Sequence, residues 1–356
     1  MPYSSFAFIL TDACNFRCSY CYQKRGRRTV RAEALDSACN FFFPRLKRNC
    51  WVTFTGGEPF LAFPLLRRAV GELEARSRES GKQLRFSVST NGSLLSGDIL
   101  DFLEDHRFTV LLSFDGFAQD ANRKKNTFGT LAGLLGLFRD RPGINLTTNS
   151  VFTPESVSRL AESLAWLMDQ GVPRLQLSLS FHKPWSRHSL GCLKKELAAL
   201  RPKLQEHRLP GGQVPVMDLD QASSPGHFAC GAGLNRMALG PDATVWGCFL
   251  LYDYFRARGG SAEYEAYCFG DLESYIRQDR KTRQRVLDNY AWLRPRPLRT
   301  SRSSCWFCRD RGSCRLCPVN AAFFSAGLGR VSASACALSR ALIQERNRLG
   351  GSLDKG

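Results

Sequence analysis

The sequence has no apolar run near the roughly 18–20 residues that a membrane helix needs. Its start, MPYSSFAFIL, has neither a basic n-region nor a small-residue cleavage site. These absences predict a soluble, cytoplasmic protein with no membrane partner. Fourteen cysteines in 356 residues fall well short of the roughly 8–10% of a small disulfide scaffold. Without an export signal, clustered thiols point to metal rather than to disulfides. Acidic residues are scarce: 32 Asp and Glu face 50 Lys and Arg, for a formal net charge of +18. That surplus attracts anionic partners such as nucleic acid, a membrane surface or an acidic peptide. No internal repeat is present, and sequence bias is confined to the Arg/Pro/Ser-rich stretch from Arg294 to Ser303. With 43% hydrophobic residues the chain can bury a core in two or three domains, which excludes wholesale disorder.

Short apolar runs alternate with amphipathic stretches over the first half. Phe6–Leu10, Trp51–Phe54, Leu84–Val88, Thr109–Phe114, Asn145–Asn149 and Arg174–Leu179 read as strands. Arg31–Phe42, Pro64–Ser80, Gly97–His106, Thr130–Arg139 and Ser156–Gln170 read as helices. The last opens on the start signal Thr153-Pro154-Glu155-Ser156 and closes at Gly171. Six such units predict an α/β fold, a partial, right-handed (β/α)6 TIM-like barrel with its site at the C-terminal strand ends. Lys183 to Gly191 reads as a polar connection, Leu190 to His207 as a basic helix and Leu209 to Gln213 as a turn-rich break. Residues 226–340 hold eight of the fourteen cysteines with little long-range periodicity, which fits a small metal-stapled α+β domain. The expected division is a barrel at 1–185, a bridging region at 186–228, a cysteine-rich domain at 229–345 and a tail at 346–356.

Directly after the first strand stand Cys14, Cys18 and Cys21 in one compact loop. Three thiols are one short of a structural zinc site, whereas a four-iron cube held by three thiolates keeps one iron open to a ligand. Four further signals fall at the C-terminal ends of strands: Gly56-Gly57-Glu58-Pro59, Ser89-Thr90-Asn91-Gly92, Ser113-Phe114-Asp115-Gly116 and Asn149. Small residues there expose backbone groups, while Glu58, Asn91, Ser113 and Asp115 suit hydrogen bonds to a small, polar, charged ligand.

CNFRCSYC, GGEP and SFDG together resemble the radical S-adenosylmethionine superfamily. The resemblance implies an open iron that chelates the methionine part of S-adenosylmethionine (SAM), and one-electron cleavage to a 5'-deoxyadenosyl radical that abstracts hydrogen from substrate. It implies that Cys14, Cys18 and Cys21 bind the cluster and that Tyr20 and Leu177 lie against adenine. By the same likeness Gly56, Gly57 and Glu58 hold the methionine ammonium, and Ser113, Asp115 and Arg123 serve the ribose and carboxylate. The match at Arg123 requires a two-residue shortening after SFDG. Asn91 and Asn149 join this cofactor set.

Further on come Cys230, Cys248, Cys305, Cys308, Cys314, Cys317 and Cys336, with two CxxC pairs in close succession. Such pairs signal metal. A zinc ribbon needs four of these cysteines and leaves three unexplained. The layout resembles the SPASM domain of peptide-modifying radical enzymes, with Gly240-Pro-Asp-Ala-Thr-Val-Trp-Gly-Cys248 and Gly270-Asp-Leu272 as landmarks. Ala243 stands where glycine is usual, and the final CxxC replaces a frequent CxxxC. The resemblance implies one auxiliary 4Fe-4S cluster on Cys305, Cys308, Cys314 and Cys336, and another on Cys230, Cys248 and Cys317. Cys268, beside the Gly270 landmark, is a further candidate ligand; His227 reads as a loop residue, and Cys39, Cys50 and Cys192 as buried thiols. Three such clusters would bring the net charge to about +14.

The expected function is modification of a ribosomally made peptide or protein by crosslink, thioether, oxidation or epimerisation. An electron donor such as flavodoxin or ferredoxin is expected, and an acidic substrate would suit the charge. Sulfatase-maturing relatives carry an Asp after the second SPASM cysteine, where this chain has Phe249, which weakens Ser/Cys oxidation as the reaction. The first strand begins within ten residues of Met1, so leader recognition is expected to use the basic surface or another protein. A nucleic-acid-binding protein with structural metal is the contrasting class. Its basic runs, Lys24 to Arg28 and Arg294 to Arg302, lack the aromatic interleaving of a stacking platform.

Overall fold

The computed structural model describes residues 2–180, 183–221, 230–256, 258–259, 261–290, 305, 308–323, 327–328 and 330–350. His227 and the run from Arg294 to Arg302 lie outside them. The strands are β1 (Tyr3–Ile9), β2 (Leu46–Thr55), β3 (Gln83–Thr90), β4 (Thr109–Ser113), β5 (Asn145–Phe152), β6 (Leu175–Leu179), β7 (Arg236–Leu239) and β8 (Val245–Trp246). In the barrel half, helices α1 (Ala32–Phe42), α2 (Phe63–Ser80), α3 (Gly97–Asp105), α4 (Gln119–Asn122), α5 (Phe128–Arg139) and α6 (Leu160–Asp169) join successive strands. Then come α7 (Arg187–Glu206), α8 (Phe249–Arg256), α9 (Ala262–Tyr267), α10 (Leu272–Arg277), α11 (Arg280–Asn289), α12 (Pro318–Ala322) and α13 (Ala333–Gly350).

One eight-stranded sheet runs β6-β5-β4-β3-β2-β1-β7-β8, parallel except for the β7–β8 pair. The expected partial barrel is therefore present, open between β6 and β8. The cysteine-rich half adds to this sheet: β7 pairs with β1 from Ser5–Arg236 to Phe8–Leu239. The expected polar connection from Lys183 to Gly191 ends earlier, because Ser186 accepts from the Ser189 amide at 3.1 Å and starts α7 at Arg187.

Period-two alternation along the strands decides what the barrel holds. Val52, Phe54, Phe86, Val88, Val110 and Leu112 join the apolar core. The alternate positions Thr53, Ser87, Ser89, Thr109 and Thr147 line the lumen. A closed TIM barrel fills its interior with bulky branched side chains; this one is hollow and polar. Among the described residues no helix is long and apolar enough to cross a membrane.

The two halves are also tied by charge. Glu345 on α13 is 1% exposed and accepts from the Arg201 guanidinium of α7 at 2.5 and 2.9 Å. Removing one partner of a buried pair leaves the other charge uncompensated. Arg201→Met should cost about 3 kcal/mol, read as a lower urea midpoint with an unchanged m-value.

Candidate active site

The C-terminal strand ends enclose a cavity of about 560 Å³. Cys14, Cys18 and Cys21 line it from the loop after β1. That loop is held by the end of β2: the Gly57 amide donates to Thr11 O and the Glu58 amide to Ala13 O, both at 2.8 Å. Gly56 has φ +152°, and a Cβ there would meet Thr11 O at 2.4 Å. A Cβ on Gly57 would meet Ala13 O at 2.2 Å and Cys14 Cβ at 3.0 Å. Only glycine lets the two backbones come this close.

Of the expected cofactor-binding residues, Tyr20, Gly56, Gly57, Asn91, Ser113, Arg123, Asn149 and Leu177 line the cavity. Glu58 and Asp115 do not reach it. Glu58 is fully buried and accepts from Thr90 Oγ1 at 2.8 Å, the Asn91 amide at 2.8 Å and the Phe60 amide at 3.2 Å. It joins the ends of β2 and β3; burial pushes its carboxyl up to about 7, against those three hydrogen bonds. Asp115 is likewise fully buried and works through neighbours. It accepts from Arg123 at 2.8 Å, the Tyr20 hydroxyl at 2.8 Å and the Val151 amide at 2.8 Å. Arg123 is thereby fixed with its Cζ 5.3 Å from the Tyr20 ring centroid, and it also donates to Asn149 O at 3.1 Å. Asn149 Oδ1 in turn accepts from Ser178 at 2.9 Å.

The donor chemistry fits an iron-sulfur cube and a charged ligand. The loop presents three thiols, and burial raises the pKa of each, that of Cys18 to about 11. They keep their protons until a cation displaces them. Among the described residues no three Cys, His, Asp or Glu side chains are close enough to share a single metal ion. Arg123 Nε is buried without a hydrogen-bond partner, an unmet donor at the cavity wall that suits an anionic or polar group there.

The later cysteines fall into two neighbourhoods. The thiol charges acting on Cys248 are those of Cys230 and Cys317. Those acting on Cys336 are those of Cys305, Cys308 and Cys314. Arg340 hydrogen-bonds Cys308, and Ser339 Oγ lies 3.1 Å from Cys314 Sγ. Cys268 belongs to neither group. The Gly270 amide donates to its sulfur at 3.4 Å, Tyr264 also bonds it, and it faces Val245 O at 3.9 Å. Cys39 and Cys50 are buried as expected, and Cys192 is half-buried.

Cys317 lines the same cavity as Cys14, Cys18 and Cys21, together with Phe249. The cavity lining also brings in residues that no motif announced: Asp218, Gln176, Arg315 and Arg346. Asp218 accepts from the Leu177 amide at 2.8 Å, and burial pushes its carboxyl up to about 6. On the cysteine loop, Asp12 is gripped by Arg256 at 2.5 Å and Tyr252 at 3.1 Å, both from α8. Gln23 donates to Asp253 of the same helix at 3.1 Å, and burial raises that carboxyl to about 7.

Three thiols thus stand at the C-terminal end of the first strand of a partial parallel barrel. Residues 8–167 match the Radical SAM superfamily, and the chain carries a radical SAM domain over that span. A Methanocaldococcus jannaschii protein, MJ0907, is 26% identical over 204 residues, 55% of this chain and 66% of its own, just under two thirds. GTP 3',8-cyclase of Mycobacterium ulcerans is 28% identical over 278 residues, 70% of this chain and 75% of its own. The cysteine-type anaerobic sulfatase-maturating enzyme of Clostridium perfringens is 27% identical over 143 residues, 36% of this chain and 39% of its own. Among solved structures, native anSMEcpe with bound AdoMet and Kp18Cys peptide superposes with TM-score 0.76 at 16% identity, covering 100% of both chains. Streptococcus suis SuiB bound to S-adenosylmethionine gives TM-score 0.57 at 14% identity, over 94% of this chain and 77% of that one.

Gly57→Ala should drive its Cβ into the Ala13 carbonyl and displace the cysteine loop. The expected result is loss of close to four irons per chain, with their absorbance near 400 nm, while the fold by circular dichroism is kept. Cys268→Ala should retain all iron, measured on the anaerobically reconstituted protein.

Proposed function

We propose that this radical SAM enzyme modifies a peptide or protein and carries two auxiliary iron-sulfur clusters in a SPASM-type second half. The observation that carries the reading is the shared cavity: Cys317, of the Cys230/Cys248/Cys317 group, and the Cys14/Cys18/Cys21 loop line one space. A substrate held there lies between two sets of thiols. When bound, the loop's cluster and SAM supply one-electron reductive cleavage and hydrogen-atom abstraction.

The chain's own residues set the surroundings. Cys14, Cys18 and Cys21 would hold the first cluster, with Gly56 and Gly57 backing their loop. Tyr20, Arg123, Ser113, Asn149 and Leu177 would orient SAM, with Asp115 fixing Arg123 and Tyr20 from behind. Cys230, Cys248 and Cys317 would hold one auxiliary cluster, and Cys305, Cys308, Cys314 and Cys336 the other. Arg340 and Ser339, bonded to Cys308 and Cys314, would raise the latter's potential by stabilising its added charge. Phe249 offers no proton acceptor after Cys248; of the carboxylates nearby, Asp218 lines the cavity while Asp253 is turned to Gln23. This arrangement favours hydrogen abstraction without the sulfatase-maturing type of base.

Coexpression with peptides encoded beside the gene, followed by mass spectrometry, tests the substrate class; a mass change on such a peptide supports it, and turnover of GTP instead would overturn it. Replacing Cys14, Cys18 and Cys21 together by Ala should abolish 5'-deoxyadenosine formation while leaving the auxiliary iron, about eight atoms per chain, in place. Undiminished cleavage by that variant would refute the assignment of the loop.

A further inference from the structure

A second cavity, of about 1150 Å³, opens at the other end of the barrel, where the strands begin. Thr53, Ser89 and Leu111 line both this cavity and the one holding the cysteines. The two spaces are therefore separated by no more than one layer of side chains. The shared residues are thus two hydroxyl side chains and Leu111, and below them Ser87, Thr109 and Thr147 line the lower cavity, with Thr53 Oγ1 and Ser87 Oγ 2.9 Å apart. Hydroxyls both donate and accept, which suits the passage of an extended main chain.

The rim of the lower cavity is strongly basic. Arg78, Arg85, Arg107 and Arg174 line it against Glu74 and Asp105, and all four arginines are exposed. Glu74 is already engaged by His106 at 2.8 Å and Arg78 at 4.0 Å. Among the described residues no carboxylate forms an ion pair with Arg85, Arg107 or Arg174 within the same 4.0 Å. Arg85 instead lies over the half-exposed Trp51 ring, 5.7 Å from its centroid. Arg107 has φ +48°, a left-handed position after α3 where Gly or Asn is the usual occupant. An arginine held there points to a use for its charge beyond ending the helix.

We propose that this mouth docks an acidic segment of the peptide substrate, and that the substrate runs from it through the polar lumen to the cysteine-lined cavity. The inference rests on the peptide-modifying reading and adds the route and the charge of the segment recognised. From Arg85 at the mouth to Ser89 at the upper cavity is four residues of β3, about 13 Å at about 3.3 Å per residue. An extended substrate covers that distance in the same number of residues. The acidic residues therefore begin at least about four positions from the residue modified.

The test uses a fluorescein-labelled decapeptide with five glutamates at one end, its all-glutamine counterpart, and a benzophenone residue at the middle. Binding to the reconstituted, SAM-loaded full chain is read by anisotropy, and photocrosslinks are mapped by mass spectrometry. Each exposed pair is worth a few-fold, so four together should favour the glutamate peptide at least about tenfold. Arg78, Arg85, Arg107 and Arg174 changed together to Gln should erase that preference. Changing Arg277, Arg280, Lys281 and Arg285 to Gln, the same loss of charge on α10 and α11, should keep it. Should the fourfold variant not fold, Arg85→Gln with Arg174→Gln is expected to lower the preference at least about threefold. Crosslinks should fall on lumen residues of β3 to β5. Equal weakening by both sets, no preference in the wild type, or crosslinks on the outer surface overturns the docking site while leaving the peptide-modifying reading intact. GTP bound in a mouth-dependent way, with neither peptide bound, overturns both.

Discussion

The contact on which the site depends is made between two backbones. Gly56 and Gly57 bring the end of β2 so near the cysteine loop that two amides reach Thr11 O and Ala13 O, and no side chain fits between. The hydrogen bonds are individually ordinary, worth about 1 kcal/mol each. Their importance is positional. They carry the parallel pairing of β1 with β2 past the last strand residue and fix where the first thiol emerges. Glu58, the next residue, then ties the same strand end to Thr90 and Asn91 at the end of β3. Three consecutive residues thus register one loop and two strands against each other.

Buried charge organises the rest of the cavity wall. Asp115 and Arg123 are both almost fully enclosed, with side chains 0% and 6% exposed. A pair this dry contributes little net stability, but disrupting it is costly. Its use here is geometric: Asp115 holds Arg123 and Tyr20 in one orientation at the cavity edge. Asp12 plays a similar part toward the second half, since its carboxylate on the cysteine loop is gripped by Arg256 and Tyr252 of α8. The loop is therefore held from β2 on one side and from the cysteine-rich half on the other. Displacement of either half is transmitted to the thiols.

The lumen gives this barrel its functional character. Filling it with branched residues would stabilise the sheet, and the helix-facing positions do follow that rule with Val, Phe and Leu. The opposite face forgoes it for Thr and Ser. The resulting hollow is opened further by the missing closure between β6 and β8.

Much of this was legible in the chain. Alternating apolar runs and helical periods predict six βα units within a few residues of those observed, because a parallel sheet covered by helices demands that pattern. Three thiols at spacings of four and three can meet only in one loop, and that too is a local matter. Most of the cofactor residues that the resemblance named, from Tyr20 to Leu177, line the cavity. The side chains of Glu58 and Asp115 turn inward to neighbours that sequence proximity does not reveal. Asp218, Arg315 and Arg346 carry no motif at all; the Met217 amide bonded to Leu175 O sets Asp218 beside β6, Arg315 donates to Met217 O and Asp220 O, and Arg346 of α13 donates to Ser313 O. The surroundings of Cys268 are equally a matter of the fold: Tyr264, Val245 and Gly270, not its place beside the Gly270 landmark, set what its sulfur bonds. Local pattern, composition and short-range spacing were set by the sequence itself. Which polar groups face the cavity, which stand behind it, and that β7 adds the second half to the barrel sheet depend on contacts between residues more than 200 positions apart, as between Ser5 and Arg236; these only the tertiary fold decides.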